Sequence, residues 1–298
     1  MIGRLLSRLL AAQAGWAKPL GDFNVRVLRA IWRPIRPIKD LVTGKWLGHS
    51  VHAALTDIPI GVISLVVLFD LLDLFGVANL RQAADIGLVV GVLAMIGAAI
   101  SGSADYSDTD DDPRTVATVH ATVMVIALVL FIIALVMRLP DPAGDRTVAV
   151  ALGLVAYVVM LAGAWVGGEA VYALGNMVNR HAWRFFGEPK WQKLDLTEIP
   201  EGKPTAAKAG TQSVVVVRQG DDVFALHSTC AHAGGPLAEG RLVDGCIECP
   251  WHYSRFDIAT GRRKHGPTTF DQPRYEVRAA DDGGWELRRV GGTSGQNV

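Results

Sequence analysis

The chain has 298 residues, half of them hydrophobic, with 29 Lys and Arg set against 29 Asp and Glu. That length allows two domains of ordinary size, and the balanced charge offers no field to hold a polyanion, which argues against nucleic acid as a partner. Three cysteines are too few for the disulfide framework that would imply export.

The apolar residues crowd into the first 180 positions. Residues 1–47 are basic. Leu5, Leu6, Leu9 and Leu10 fall at helical spacing opposite Arg4, Ser7 and Arg8, and Arg8 leaves the apolar run too short for a secretory signal. The pattern predicts a short amphipathic helix lying on a membrane surface. From Lys18 to Lys45, Pro19, Pro34 and Pro37 interrupt the chain, which reads as a juxtamembrane connector.

Four long apolar segments follow, about Ala53–Phe75, Ile86–Ala104, Val116–Met137 and Val148–Val166. Each is near the roughly 20 residues a helix needs to cross the hydrocarbon core. Short polar breaks separate them, so 48–179 reads as an up-down four-helix transmembrane bundle. A soluble core would need four helices with almost no polar face. An even number of spans returns the chain to the side it started from. Nine Lys and Arg precede the first span, Arg180, Arg184, Lys190 and Lys193 follow the fourth, and Arg114 joins the second to the third. The opposite face has Arg81, Arg138 and Arg146. The positive-inside rule then predicts a multi-pass inner-membrane protein with both termini in the cytoplasm.

Ionisable groups in such spans need an account. His49, His52 and Asp57 lie at the mouth of the first span, Asp105 ends the second, His120 lies one turn into the third, and Glu169 and Tyr172 close the fourth; all share one face. Three readings compete: residues snorkelling to headgroups and capping helices, a haem held between His52 and His120, or a quinone head-group site in which a His and a carboxylate exchange protons. The candidate residues are His49, His52, His120 and Glu169. Asp70 and Asp73, at the far end of the first span, read as helix-end residues near water. His49-x-x-His52 before Ile58-Pro59-Ile60-Gly61, and Trp165-Val166-Gly167-Gly168-Glu169-Ala170-Val171-Tyr172, resemble a bacterial four-helix membrane domain of unknown function. Many of its members have a third histidine where this chain has Asp57, so no role for that histidine carries over.

From Trp191 the pattern changes to short alternating runs, Ser213–Arg218, Val223–His227, Tyr275–Arg278 and Trp285–Arg288, parted by turn-forming Gly and Asp. They predict a small antiparallel β domain over 190–290, followed by a polar tail, 291–298. Within it lie Cys230-Ala231-His232 and Cys249-Pro250-Trp251-His252. A tetrahedral zinc site would use the same residue types, but zinc fingers usually draw two like ligands from each element. Here each loop gives one Cys and one His, which suits two irons, the cysteines on one and the histidines on the other. Gly234, Gly235 and Pro236, then Pro250, then Gly266-Pro267 mark three tight loops around such a centre. Cys246 reads as a packed core residue.

These two motifs resemble the Rieske [2Fe-2S] family, to which members of the membrane family are sometimes fused. The resemblance implies that Cys230 and Cys249 bind the inner iron, and that His232 and His252 bind the outer, solvent-near one. In Rieske proteins of quinol-oxidising complexes a disulfide ties the two loops, and its positions here are Gly235 and Trp251, which places the chain nearer the ferredoxin-like branch. Of a serine and a tyrosine that donate to cluster sulfur in high-potential members, Ser254 is kept and the other position is Phe256. With fewer donors, the expected potential lies in the lower part of the roughly −150 to +300 mV Rieske range.

A Rieske cluster passes single electrons and does no bond chemistry by itself. Only about forty residues follow His252, with one more histidine, His265, too few for the two-His, one-carboxylate iron domain of an oxygenase. The sequence therefore predicts a membrane protein of several domains, a four-helix transmembrane bundle followed by a small all-β Rieske domain, without a catalytic domain of its own. It would carry electrons between a membrane donor such as quinol, or a reductase, and an acceptor at the cytoplasmic face. The alternative is a redox sensor whose cluster state changes the affinity for a partner protein.

Overall fold

The computed structural model describes residues 2–140, 144–182, 188–281 and 283–290. The expected polar tail and Arg184 lie outside them. The chain divides into two compact units between Asn176 and Met177, with the stretch Lys45–His49 grouping with the second.

The first unit is helical: α1 (Ile2–Ala11), α2 (Ala14–Trp32), α3 (Arg36–Val42), α4 (Val51–Leu74), α5 (Arg81–Tyr106), α6 (Asp111–Arg138) and α7 (Thr147–Gly168), the last continued by a π-helical turn, Glu169–Ala173. Helices α4 to α7 are each long and apolar enough to cross a bilayer. They pair as two hairpins, α4 with α5 and α6 with α7, closed by contacts of α5 with α6 and of α4 with α7. Ile63, Leu88, Phe131 and Met160 are fully buried between them. Outward-facing Leu93 and Val158 are 62% and 66% exposed. A soluble protein would bury such residues; hydrocarbon solvates them at no cost.

The connector is more ordered than its prolines suggest. Pro34 falls between α2 and α3 and Pro37 lies at the start of α3, where a missing N–H costs nothing, but Pro19 sits inside α2. Ala17, Gly21 and Val25, four residues apart, are buried, and α2 packs on α6. A Cβ on Gly21 would lie 2.6 Å from Thr118 Oγ1, so small residues let the backbones approach. Asp22 pairs with Arg114 at 2.5 Å. On α1, Leu5 and Leu9 stay more than half exposed.

Asp70 corrects its expected place near water: it is 6% exposed. Both its oxygens accept from Arg138, at 3.0 and 2.6 Å. Asp85 joins Arg138 to Arg146, and Asp73 pairs with Arg81 at 2.9 Å. All three arginines of that face are thus engaged with carboxylates of the same bundle.

The second unit has two antiparallel sheets. Strands β1 (Gln192–Lys193), β2 (Thr205–Ala209), β3 (Gln212–Gln219), β4 (Asp222–His227), β9 (Arg274–Ala279) and β10 (Trp285–Arg289) form a six-stranded sheet in the order β1-β10-β9-β4-β3-β2. Strands β5 (Arg241–Val243), β6 (Cys246–Glu248), β7 (Arg255–Asp257) and β8 (Arg263–His265) form a four-stranded meander. Val215, Val217, Leu226, Leu237, Ile247 and Phe256 fill one core, and Cys230, Ala231 and Cys249 close it. The three loops expected from the glycines and prolines emerge after β4, between β6 and β7, and between β8 and β9.

Candidate metal centre

The two Cys-His loops are built alike. Cys230 N–H donates to the Gly235 carbonyl at 2.8 Å and Gly234 N–H returns to the Cys230 carbonyl at 3.0 Å; Cys249 N–H donates to Ser254 O at 2.8 Å and Tyr253 N–H returns to Cys249 O at 3.1 Å. The residue four beyond each cysteine is left-handed, Gly234 at φ 87° and Tyr253 at φ 62°. Each sulfur also accepts two backbone N–H groups, Cys230 from His232 and Ala233, Cys249 from Trp251 and His252. Such amides stabilise thiolate charge.

This symmetry brings like donors together. The Cys230 and Cys249 thiols are hydrogen-bonded to each other, and the His232 and His252 rings stand edge to face with centroids 4.9 Å apart. The hydrogen bond from Cys230 and the loop amides bring Cys249 down to about 6, while the same hydrogen bond and burial push Cys230 up. Among the described residues no three His, Cys, Asp or Glu side chains converge on a single ion. A mononuclear Cys2His2 zinc site would need that convergence; a two-iron cluster needs the sulfur pair and the nitrogen pair apart.

Two further observations fit a bound cluster. Ser254 Oγ is fully buried and has no partner among the described residues, which costs about 1–3 kcal/mol unless something accepts from it. Gly235 leaves a gap that a side chain would fill, since a Cβ there would lie 2.8 Å from Cys249 Sγ and 3.1 Å from Trp251. Gly235 and Trp251 therefore do face each other across the loops, with an indole covering the glycine in place of a disulfide. Of the two imidazoles expected near solvent, His252 is partly exposed while His232 is 7% exposed. Cys246 is buried, as expected of a core residue.

Several supporting residues carried no motif. Gln272, in the third loop, is fully buried; its Oε1 accepts from Ala231 N–H at 2.9 Å and its Nε2 donates to the His227 and Thr229 carbonyls at 2.6 and 2.7 Å. It thus fixes the backbone on both sides of Cys230. His181, also buried, donates from Nε2 to Thr229 O at 2.9 Å and packs on the His227 ring. Glu248, next to Cys249, is 4% exposed; burial works to raise its carboxyl, but Arg255 and Arg241 outweigh this and hold it below the usual range. Replacing Gln272 by leucine takes the acceptor from the buried Ala231 N–H and one donor from each of the His227 and Thr229 carbonyls, the latter keeping His181, and should destabilise the full chain by about 1–3 kcal/mol in thermal unfolding.

The candidate membrane residues separate. His52 and His120 come together, with ring centroids 6.1 Å apart. His49 groups instead with the β unit, and Glu169 accepts from Ser7 Oγ at 3.4 Å. Asp105 is buried and accepts from Ser50, the α4 N-cap, at 2.6 Å.

A model of the Rieske [2Fe-2S] domain matches residues 190–276, and a model of the predicted membrane protein family DUF2231 matches residues 48–180. The anthranilate 1,2-dioxygenase ferredoxin subunit of Burkholderia cepacia is 40% identical over 93 residues, which are 31% of this chain and 86% of that one. The ferredoxin component of the naphthalene 1,2-dioxygenase system of Pseudomonas aeruginosa is 31% identical over 90 residues, 30% and 86% of the two chains. Among solved structures, the ferredoxin of carbazole 1,9a-dioxygenase from Nocardioides aromaticivorans IC177 is 31% identical, covers 35% of this chain and 97% of that one, and superposes with a TM-score of 0.30.

Proposed function

The chain belongs to the Rieske [2Fe-2S] family, its cluster domain following a DUF2231 membrane domain, and from that premise we propose that it is a membrane-anchored carrier of single electrons at the cytoplasmic face. When bound, the cluster supplies a one-electron couple. Cys230 and Cys249 would hold one iron and His232 and His252 the other, the paired arrangement of donors being the observation that carries this reading. The loop amides and Ser254 Oγ would donate to sulfur, and Trp251 covers Gly235 beside Cys249. His252, partly exposed beside a Trp251 that is 54% exposed, is the edge for electron exchange.

The named relatives are ferredoxin subunits and components of dioxygenase systems, which supports a carrier working with a separate reductase or oxidant. A membrane anchor would confine that exchange to the bilayer surface, where a quinol or a membrane reductase is the donor. Purified in detergent, the protein should show the Rieske EPR signal and should cycle repeatedly between reduced and oxidised forms without losing iron. Irreversible cluster loss on oxidation would instead favour a sensor, and Cys249→Ala with an unchanged signal would overturn the ligand assignment. Protease should digest the β domain from the inside of the membrane only; cleavage from the outside reverses the topology.

Ser254→Ala should lower the midpoint potential. The hydroxyl's hydrogen bond favours the more negative, reduced cluster, and a bond worth about 1–1.5 kcal/mol corresponds to roughly 40–60 mV for one electron. An EPR-monitored titration reads the shift.

A further inference from the structure

We propose that the membrane bundle holds a haem of its own, with Nε2 of His52 and Nε2 of His120 as the two axial ligands of its iron. Both residues lie inside the helical unit, so the proposal stands apart from the cluster reading.

The first support is the tautomer. His52 Nδ1 lies 2.8 Å from the Ala98 carbonyl oxygen and His120 Nδ1 lies 2.8 Å from the Gly163 carbonyl oxygen. A carbonyl only accepts, so each Nδ1 carries the ring proton and each Nε2 keeps its lone pair. An N–H held by a backbone carbonyl is the arrangement that orients metal-bound histidines and raises their basicity. Each ring is therefore anchored through Nδ1, which leaves Nε2 as the nitrogen with a lone pair to offer a metal.

The second support is a repeat. Each hairpin gives an imidazole from its first helix, a carbonyl from its second, and a glycine four residues past that carbonyl under the ring. A Cβ on Gly102 would lie 2.9 Å from His52 Cε1 and Nδ1, and one on Gly167 would lie 2.9 and 3.0 Å from the same atoms of His120. Two equivalent hairpins thus present two equivalent donors.

The third is spacing and donor count. Metal–nitrogen bonds of about 2.0–2.1 Å, with the ~1 Å from each nitrogen to its ring centre, place two imidazoles on one metal with centroids about 6 Å apart. The observed separation is 6.1 Å. No third His, Cys, Asp or Glu joins them among the described residues. A bare ion would lack its remaining ligands, whereas a macrocycle supplies them all and leaves two axial positions for the protein.

The test uses the full chain, produced with a haem supply and purified in detergent, read by optical spectrum and pyridine haemochrome assay, with the cluster followed by EPR in the same sample. The expected result is about one haem per chain with a two-imidazole low-spin spectrum. His52→Ala and His120→Ala should each cut haem content roughly tenfold or more while the cluster signal stays. His120→Met should retain more haem than His120→Ala, with a shifted spectrum, because a thioether is also an axial ligand; a variant that merely misfolds would not. No haem in the isolated protein or after haemin titration, undiminished haem in both alanine variants, or copper or zinc bound there without haem would each overturn the proposal. An absent Rieske signal beside an intact haem would defeat the cluster reading and leave this one standing.

Discussion

Gly266→Ala is expected to abolish the cluster signal while leaving the membrane helices folded. Gly266 is left-handed, at φ +96°, a conformation that costs an L-residue about 1–2 kcal/mol. The larger effect is contact. A Cβ there would lie 2.3 Å from Ser254 Cα, 2.6 Å from Ser254 N and 2.8 Å from Tyr253 O. All three are backbone atoms of the second ligand loop, so no side-chain rotation relieves the clash. The loop must move, and with it the Cys249 N–H to Ser254 O bond that sets the cysteine. Gly220→Ala is the control: Gly220 is also left-handed, at φ +62°, but a Cβ there meets nothing within 4 Å. It should cost about 1 kcal/mol and keep full iron and EPR signal. Equal cluster content in the two variants would show that the third loop does not brace the second.

The parts of the molecule that were legible in the sequence are those where one physical requirement dominates a stretch of chain. Hydrocarbon demands about 20 apolar residues, so α4 to α7 stood out, and the short apolar runs of β3, β4, β9 and β10 did too, although β3 does not alternate: Val214 to Val217 are all fully buried, Val215 and Val217 in one core and Val214 and Val216 in another. The meander β5 to β8 did not stand out. Its strands have three residues each, too few for alternation to register, although it carries the second ligand loop. Helix α2 was hidden by Pro19, read as a break, while the spacing of Ala17, Gly21 and Val25 was the available sign that a helix packs there. At the metal centre the donors were visible because their chemistry restricts residue type. Gln272 and His181 were not, because any side chain with the right reach can hold a backbone loop, and only the fold brings them to Thr229 and Ala231. Asp70 was misplaced for a related reason: its partner Arg138 lies 68 positions away, and distance along the chain hides a buried pair.

That pair should make Arg138→Leu the most damaging substitution in the helical unit. Arg138 has a 1% exposed side chain and meets Asp70 through two parallel hydrogen bonds, with Asp85 beside it. Removing the guanidinium leaves the Asp70 carboxylate buried without its partner, which typically costs about 3–5 kcal/mol, a fall in the detergent melting temperature of roughly 10 °C for a unit of this size. The carboxylate's loneliness, and not the lost attraction, is the source of that figure. Removing both charges should therefore hurt less than removing one: in Asp70→Leu/Arg138→Leu no isolated charge remains, and Asp85 keeps Arg146. The expected order of melting temperature is wild type, then the double variant, then Arg138→Leu. A double variant that melts below the single one would mean that the two residues act independently, each stabilising the bundle through contacts other than their pairing.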